Sequence, residues 1–240
     1  MFLKRISLLR ENTSSFSDYP FSIPAIKSLY EIELSSSVTF FVGENGSGKS
    51  TLLEAIAYQC NFNTAGGGRS NYYAVPKSEA ALGDYIRLSW LPKVSHGFFL
   101  RAESFYQFAS HIDEVDNTGF RSYGGRSLHH QSHGESFLAL FLHRFKGKAL
   151  YLLDEPEAAL SPSRQLAFLK ILHNLTNSGN AQFIITTHSP ILLGYPHAVI
   201  LSFDDGRIEP IDYEMTDHYQ ITKYFLNHRE NILADILNDD

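Results

Sequence analysis

Apolar runs of strand length alternate with stretches of helical period along most of this chain. Residues 2 to 9, Tyr30 to Leu34 and Val38 to Val42 read as short strands, the last a buried run with no charged residue. That run enters a group of glycines. Beyond them, Ser50 to Gln59 carries Leu52, Leu53, Ala55 and Ile56 at helical spacing, so strand, glycine loop and helix follow one another directly. Residues 61 to 84 are rich in Gly, Asn, Ser and Tyr and predict an extended loop centred on Gly66-Gly67-Gly68-Arg69, followed by a strand at Tyr85 to Trp90. A second apolar run, Gly97 to Leu100, leads to Asn117-Thr118-Gly119 through a segment whose pattern selects neither helix nor strand. Tyr123-Gly124-Gly125-Arg126 then breaks regular structure again.

From Ser132 the pattern sharpens. It predicts a helix at 134 to 145, a strand at 149 to 153, a helix at 162 to 177, and strands at 182 to 187 and 198 to 203. Strands alternating with helices of this length imply parallel crossovers and an α/β sheet covered on both faces. Asp205-Gly206 suits a hairpin turn, and the tail from Tyr219 reads as a helix with acidic residues at its end. One domain over 1–240 is expected, with a β-rich part at 1–37 and a helical tail at 219–240.

Composition narrows the function classes. Apolar residues are 43% and charged residues 19%, as in an ordinary globular domain. With 20 basic and 26 acidic side chains the formal charge is -6, which leaves no global positive field for nucleic acid; a local basic groove or a partner would have to supply one. The single Cys60 excludes an internal disulfide framework and a thiolate zinc site, and fits a reducing, cytoplasmic setting. No apolar run reaches bilayer length, and Met1-Phe2-Leu3-Lys4-Arg5 leads into strand-like sequence in place of a signal-peptide core, so no direct membrane insertion is expected.

The chemistry begins at Gly43-Glu44-Asn45-Gly46-Ser47-Gly48-Lys49-Ser50, which matches G-x-x-x-x-G-K-[ST]. Glycines let backbone N–H groups approach phosphate oxygens, the lysine reaches the β and γ phosphates, and the hydroxyl holds Mg2+. A plain glycine turn would need neither Lys49 nor Ser50, and the motif lies where its mechanism requires, ahead of a helix N-terminus. About a hundred residues on, Ala149 to Leu153 runs into Asp154-Glu155. Ligands gather at the carboxyl ends of parallel strands, so Asp154 is expected to orient Mg2+ and Glu155 to polarise the attacking water. The next strand ends in Thr186-Thr187-His188-Ser189-Pro190, with His188 a candidate for the γ phosphate and the water. Gln131-Ser132-His133-Gly134-Glu135-Ser136 opens a helix. Ser132 and Glu135 also form a capping box, which by itself accounts for both residues.

In this order the four motifs resemble the ABC-type ATPases, over about Thr39 to Pro190. The resemblance implies a P-loop NTPase fold of the RecA-like kind: a parallel core sheet covered by helices, an N-terminal antiparallel β element, and a small helical signature subdomain at about 108–147. It implies ATP and Mg2+ as ligands, with Gly43 to Ser50 and Thr51 on the nucleotide, and Lys49, Glu155 and His188 in catalysis. In that family the signature L-S-G-G-Q of one subunit caps ATP held by another, so the resemblance implies an ATP-bound homodimer arranged head to tail. Ser132 and Gly134 align with the signature's serine and second glycine, with Glu135 beside them. Gln131, His133 and Glu135 depart from its commonest form, and this looser version is similar to the RecF and SMC branch. Ser161 stands where the family's D-loop has aspartate, and with Pro162 it also reads as a helix N-cap. Gln107 is the candidate for the glutamine loop at the metal, with an exposed helical glutamine as the alternative. Tyr19 or Phe21 is the candidate for adenine stacking, with core packing as the alternative. Arg69, Arg121 and Arg126 lie among glycines and are candidates for nucleotide or partner carboxylates, as well as for plain solvation.

The expected function is MgATP hydrolysis coupled to dimerisation, a switch for a protein effector in DNA maintenance or defence. The alternative is the ATP-binding subunit of a membrane transporter. Asp116-Asn117-Thr118-Gly119 fits the D-x-x-G of GTP-binding switches, but no N-K-x-D guanine-reading element occurs and a turn explains it. A catalytically idle scaffold is disfavoured by intact Lys49, Asp154, Glu155 and His188.

Overall fold

The computed structural model describes residues 1–64, 66–67, 80–102, 105–130, 133–144 and 147–237. The strands are β1 (Leu3–Leu8), β2 (Glu31–Glu33), β3 (Val38–Val42), β4 (Ile86–Trp90), β5 (His96–Arg101), β6 (Ala149–Asp154), β7 (Ala181–Thr186), β8 (Val199–Ser202) and β9 (Glu209–Pro210). The helices are α1 (Pro24–Ser28), α2 (Lys49–Gln59), α3 (Phe105–Val115), α4 (His133–Ala139), α5 (Pro162–Asn177), α6 (Pro190–Leu193) and α7 (Asp217–Leu237). The expected α/β architecture is present. A six-stranded sheet runs β5-β6-β7-β3-β8-β9, parallel except for the β8–β9 hairpin, and a separate antiparallel sheet runs β2-β1-β4.

The central strands β3, β6 and β7 are buried along their whole length, which is why they read as continuous apolar runs without alternation. Their side chains still alternate between two cores. Phe40, Val42, Tyr151, Leu153, Phe183 and Ile185 face one side, where α3, α4, α5 and α6 pack. Phe41, Leu150, Leu152 and Ile184 face the other, against α1, α2 and the small sheet. The helix that follows the glycine loop and the helix that carries Gly134 and Glu135 therefore lie on opposite faces of the sheet.

Two regions differ in detail from the sequence pattern. The helix expected at 134 to 145 is α-helical over His133–Ala139 and continues as a π-helical turn over Leu140–Arg144, with Phe137, Leu140 and Phe141 in the core. The unassigned middle contains α3, which buries Phe105, Phe108, Ala109 and Ile112. Of the loop expected at 61 to 84, residues 65 and 68–79 lie outside the described residues, and Ala80–Tyr85 forms a 3-10 turn against α2. Asp116 Oδ1 accepts hydrogen bonds from Thr118 N at 2.8 Å and Phe120 N at 3.0 Å, so Asp116 to Gly119 is a side-chain-closed turn.

Candidate functional site

Register places the site. β7 lies between β3 and β6 with Phe41 opposite Thr186 and Asp154 opposite Thr186, so the carboxyl ends of all three strands stand level. Immediately beyond β3 the chain enters the glycine loop, where Gly43, Gly46 and Gly48 have φ of 136°, 80° and 103°. Only glycine takes these values without strain, and they turn the loop back onto the start of α2. The Lys49 side chain is buried and its Nζ donates to Gly43 O at 2.6 Å and Glu44 O at 2.8 Å. Burial pushes its pKa down, a shift opposed by Glu155, Asp204, Asp154 and Glu44. Ser47 Oγ is shielded from solvent without a hydrogen-bond partner, an orphan that a loop built to receive phosphate oxygens accounts for.

Asp154 gathers the next group. Its Oδ1 accepts from Ser50 Oγ at 2.9 Å and from Thr186 Oγ1 at 2.5 Å, and its Oδ2 lies 3.6 Å from Arg101 Nε. Arg101, at the end of β5, also pairs with Glu54, a buried residue of α2. Ser50 and Asp154 thus present two hard oxygens side by side, the donor type that Mg2+ takes together with phosphate oxygens and water. Glu155 follows with φ 50°, and its N–H donates to Thr186 O at 3.1 Å. That left-handed turn aims its half-exposed carboxylate away from the strand row and toward His188, whose Nε2 is 3.5 Å from Glu155 Oε1.

His188 is held from two further directions. Its backbone N–H donates to Glu157 Oε1 at 2.5 Å, and its Nδ1 lies 2.7 Å from Nε2 of His218 on α7. A cleft of about 380 Å³ opens between the glycine loop and the first turns of α7, lined by Gly43, Glu44, His188, Asp204, His218 and Ile221 among others. Asp204, just past β8, accepts Glu44 N–H on Oδ1 at 2.9 Å and Ser202 Oγ on Oδ2 at 3.0 Å, bracing the first turn of the loop.

Lys49, Ser50, Asp154, Glu155 and His188 are thus brought together. Gly134 is elsewhere: it is buried beside the turn after β6, where an added Cβ would collide with the Arg164 side chain and come within 3.2 Å of Ala159 O. Glu135 pairs with Arg164 at 3.4 Å. Ser132 lies outside the described residues, as does Arg69. Gln107 is exposed on α3, and Arg121 and Arg126 are exposed as well. Ser161 occupies the N-cap position of α5 with Pro162 at the first helical position. Its hydroxyl meets Ser163 Oγ at 3.2 Å and makes no capping bond. Tyr19 is 61% exposed with Oη 3.4 Å from Thr51 Oγ1 on the first turn of α2, whereas Phe21 is buried edge-to-face against Tyr85.

Arg101, Thr186, Asp204, Glu157 and His218 are site residues that sequence reasoning missed. Arg101 and Asp204 each follow an apolar strand run directly, a signal of the same kind as Asp154. Glu157 and His218 carry no such signal.

The chain is similar to several known proteins. The family description "AAA domain, putative AbiEii toxin, Type IV TA system" matches residues 77–194, and a second, "AAA domain", matches residues 22–99. The chain is 26% identical over 190 residues to the hemin import ATP-binding protein HmuV of Bartonella quintana (strain Toulouse), covering 70% of this chain and 72% of that protein. It is 48% identical over 46 residues to protein ea59 of Escherichia phage lambda, covering 19% of this chain and only 9% of that protein. Among solved structures, the SMC head domain from Thermotoga maritima aligns with a TM-score of 0.49 at 21% identity, over 88% of this chain and all of that one. The structure of cbiO1 from Clostridium perfringens, described as part of the ABC transporter complex cbiONQ, aligns at 0.47 and 18% identity over 85% of this chain and 89% of that one.

Proposed function

We propose, from the matches to two AAA-domain descriptions, that this chain is a P-loop ATPase of the AAA and ABC kind that hydrolyses MgATP as a single-domain switch working in a head-to-tail homodimer. One observation carries the reading: Lys49, Ser50, Asp154, Glu155 and His188 converge at the carboxyl ends of three adjacent strands, with Ser50 Oγ on Asp154 and His188 Nε2 facing Glu155.

In this reading the N–H groups of the glycine loop and the N-terminus of α2 hold the β and γ phosphates, with Lys49 Nζ completing the cradle. Tyr19, beside Thr51, is positioned to lie against the base. Ser50 and Asp154 would hold Mg2+, which would neutralise charge on the phosphate oxygens. Glu155 orients the attacking water and takes its proton, and His188 donates toward the γ phosphate. Arg101 fixes the Asp154 carboxylate between α2 and β6. The packing of α4, which carries Gly134, on the sheet face opposite α2 supports a reading in which the signature segment completes the glycine loop of a second copy.

The test is Glu155→Gln. It is expected to lower ATP turnover by about a hundredfold or more while binding persists, because the amide cannot take the proton. In saturating MgATP the variant is expected to accumulate as a dimer by light scattering. Turnover near the wild-type rate sinks the role of Glu155, and a strictly monomeric variant sinks the dimer.

The similarity to a hemin import ATP-binding protein favours a second reading, the ATP-binding subunit of a transporter. No helix among the described residues is long and apolar enough to cross a membrane, so that reading requires another chain. Co-purification of the Glu155→Gln protein with a multispanning partner would select it over a soluble effector.

A further inference from the structure

We propose that His218, in the first turn of α7, is a positioning residue for hydrolysis that holds His188 in the tautomer with its proton on Nε2, the nitrogen that faces Glu155 and would donate toward the γ phosphate; this rests on the roles given above to Glu155 and His188. The two rings stand with centroids 4.8 Å apart, and His188 Nδ1 is 2.7 Å from His218 Nε2. The other nitrogen of His188, Nε2, is shielded from solvent, lies 3.5 Å from Glu155 Oε1 and makes no hydrogen bond.

The tautomer follows from donors and acceptors. A neutral imidazole has one N–H and one lone pair, and an ionised carboxylate only accepts. An Nε2 lone pair turned toward Glu155 would set two acceptors against each other, so the hydrogen belongs on Nε2 and the lone pair on Nδ1. The 2.7 Å contact is then a hydrogen bond only when His218 Nε2–H is the donor. Burial lowers the pKa of His218, with the neighbouring His188 and Lys49 acting in the same direction and Asp204 and Asp217 opposing, which favours the neutral ring this arrangement needs.

Main chain and ring of His188 are therefore fixed by different elements. Glu157, in the turn after β6, takes its backbone N–H, and α7 sets its ring. None of the side chains of α7 is buried, and Ile221, Tyr224 and Leu226 are strongly exposed. A displacement of this helix removes the donor from Nδ1 and frees the proton of His188 to move to the wrong nitrogen.

The experiment compares the full chain with His218→Leu and His218→Gln, the latter offering an amide N–H in place of the imidazole donor. His218→Leu is expected to lower kcat by about tenfold, the proton being misplaced in a growing fraction of molecules. The KM for ATP is expected to stay within about twofold, since nucleotide binding does not use this bond. His218→Gln is expected to recover most of the loss. Nitrogen-15 spectra of ring-labelled protein without nucleotide are expected to report the Nε2–H tautomer of His188 in the wild type and a mixture in His218→Leu. A wild-type His188 protonated on Nδ1 overturns the proposal, as does a His218→Leu kcat equal to wild type or an equal loss in both variants. The tautomer is read without turnover, so this result is separate from that of Glu155→Gln, and the wild-type measurement stands even where a variant fails to fold.

Discussion

Asp154 and Glu157, three residues apart, have different surroundings. Asp154 is buried with two hydroxyl donors and a guanidinium around it. Glu157 accepts the N–H of His188, yet its Oε2 has no hydrogen bond, and burial raises its pKa, with the Glu155 carboxylate adding to the rise. A carboxyl whose folded pKa exceeds its unfolded value near 4.5 contributes stability in full below that value, and the contribution is lost as pH rises through the folded pKa. Glu157→Gln abolishes this titration. Its thermal midpoint is expected to exceed the wild type at about pH 8, with the gap closing toward about pH 4. A wild-type advantage at the higher pH would mean that the carboxylate's bonds to His188 and Thr187 outweigh its burial. At this scale the candidate residues Lys49, Ser50, Asp154, Glu155 and His188 were legible because Lys49 and Ser50 close a glycine motif after a strand and the other three stand at or just past strand ends. Glu157 and His218 were not, since an acid in a turn and a histidine in an exposed helix read as solvated.

At the scale of elements, one polar residue ties the two sheets together. Gln182 interrupts the apolar run of β7 and is fully buried. Its Oε1 accepts Phe2 N at 2.7 Å and Leu3 N at 2.8 Å, and its Nε2 donates to Leu3 O at 2.9 Å, pinning β1 to the main sheet. Gln182→Leu leaves two N–H groups and one carbonyl orphaned, and is expected to cost about 3 kcal/mol in urea unfolding at roughly 1 kcal/mol for each group. A loss below about 1 kcal/mol would mean that the packing of Leu3 and Ile6 docks β1 unaided. The strands other than β5 and β9, and the helices α2 and α5, were legible from period and length. The helix α3 was not: Phe105, Phe108, Ala109 and Ile112 have helical spacing, but Tyr106 widens the apolar set and Gln107, Ser110 and His111 break it, so the short pattern is ambiguous. The split of the sheet into two cores also escapes one-dimensional reading, because strands buried on both faces carry no alternation.

For the molecule as a whole, the opposite placement of α2 and α4 makes a prediction that a self-contained site would not. Lys49→Ala and Ser132→Arg are each expected to lose ATP turnover alone. Mixed, in the proposed head-to-tail dimer, they would pair so that one site has an intact glycine loop from the Ser132→Arg chain and an intact signature segment from the Lys49→Ala chain. Turnover recovered in the mixture is the expected result, and a mixture as inactive as its parts would return both segments to a single chain. The sequence by itself determined the nucleotide chemistry, the strand order along the chain and the α/β class, since glycine loops, apolar runs and strand-end acids are local patterns set by backbone geometry and burial. The tertiary structure alone decided which strands are neighbours, and with them the row of Phe41, Thr186 and Asp154, the contact of Arg101 with that row, the bracing of the glycine loop by Asp204, and the arrival of His218 beside His188. Those contacts join residues 30 to 160 positions apart, and their energy depends on packing that no local pattern records.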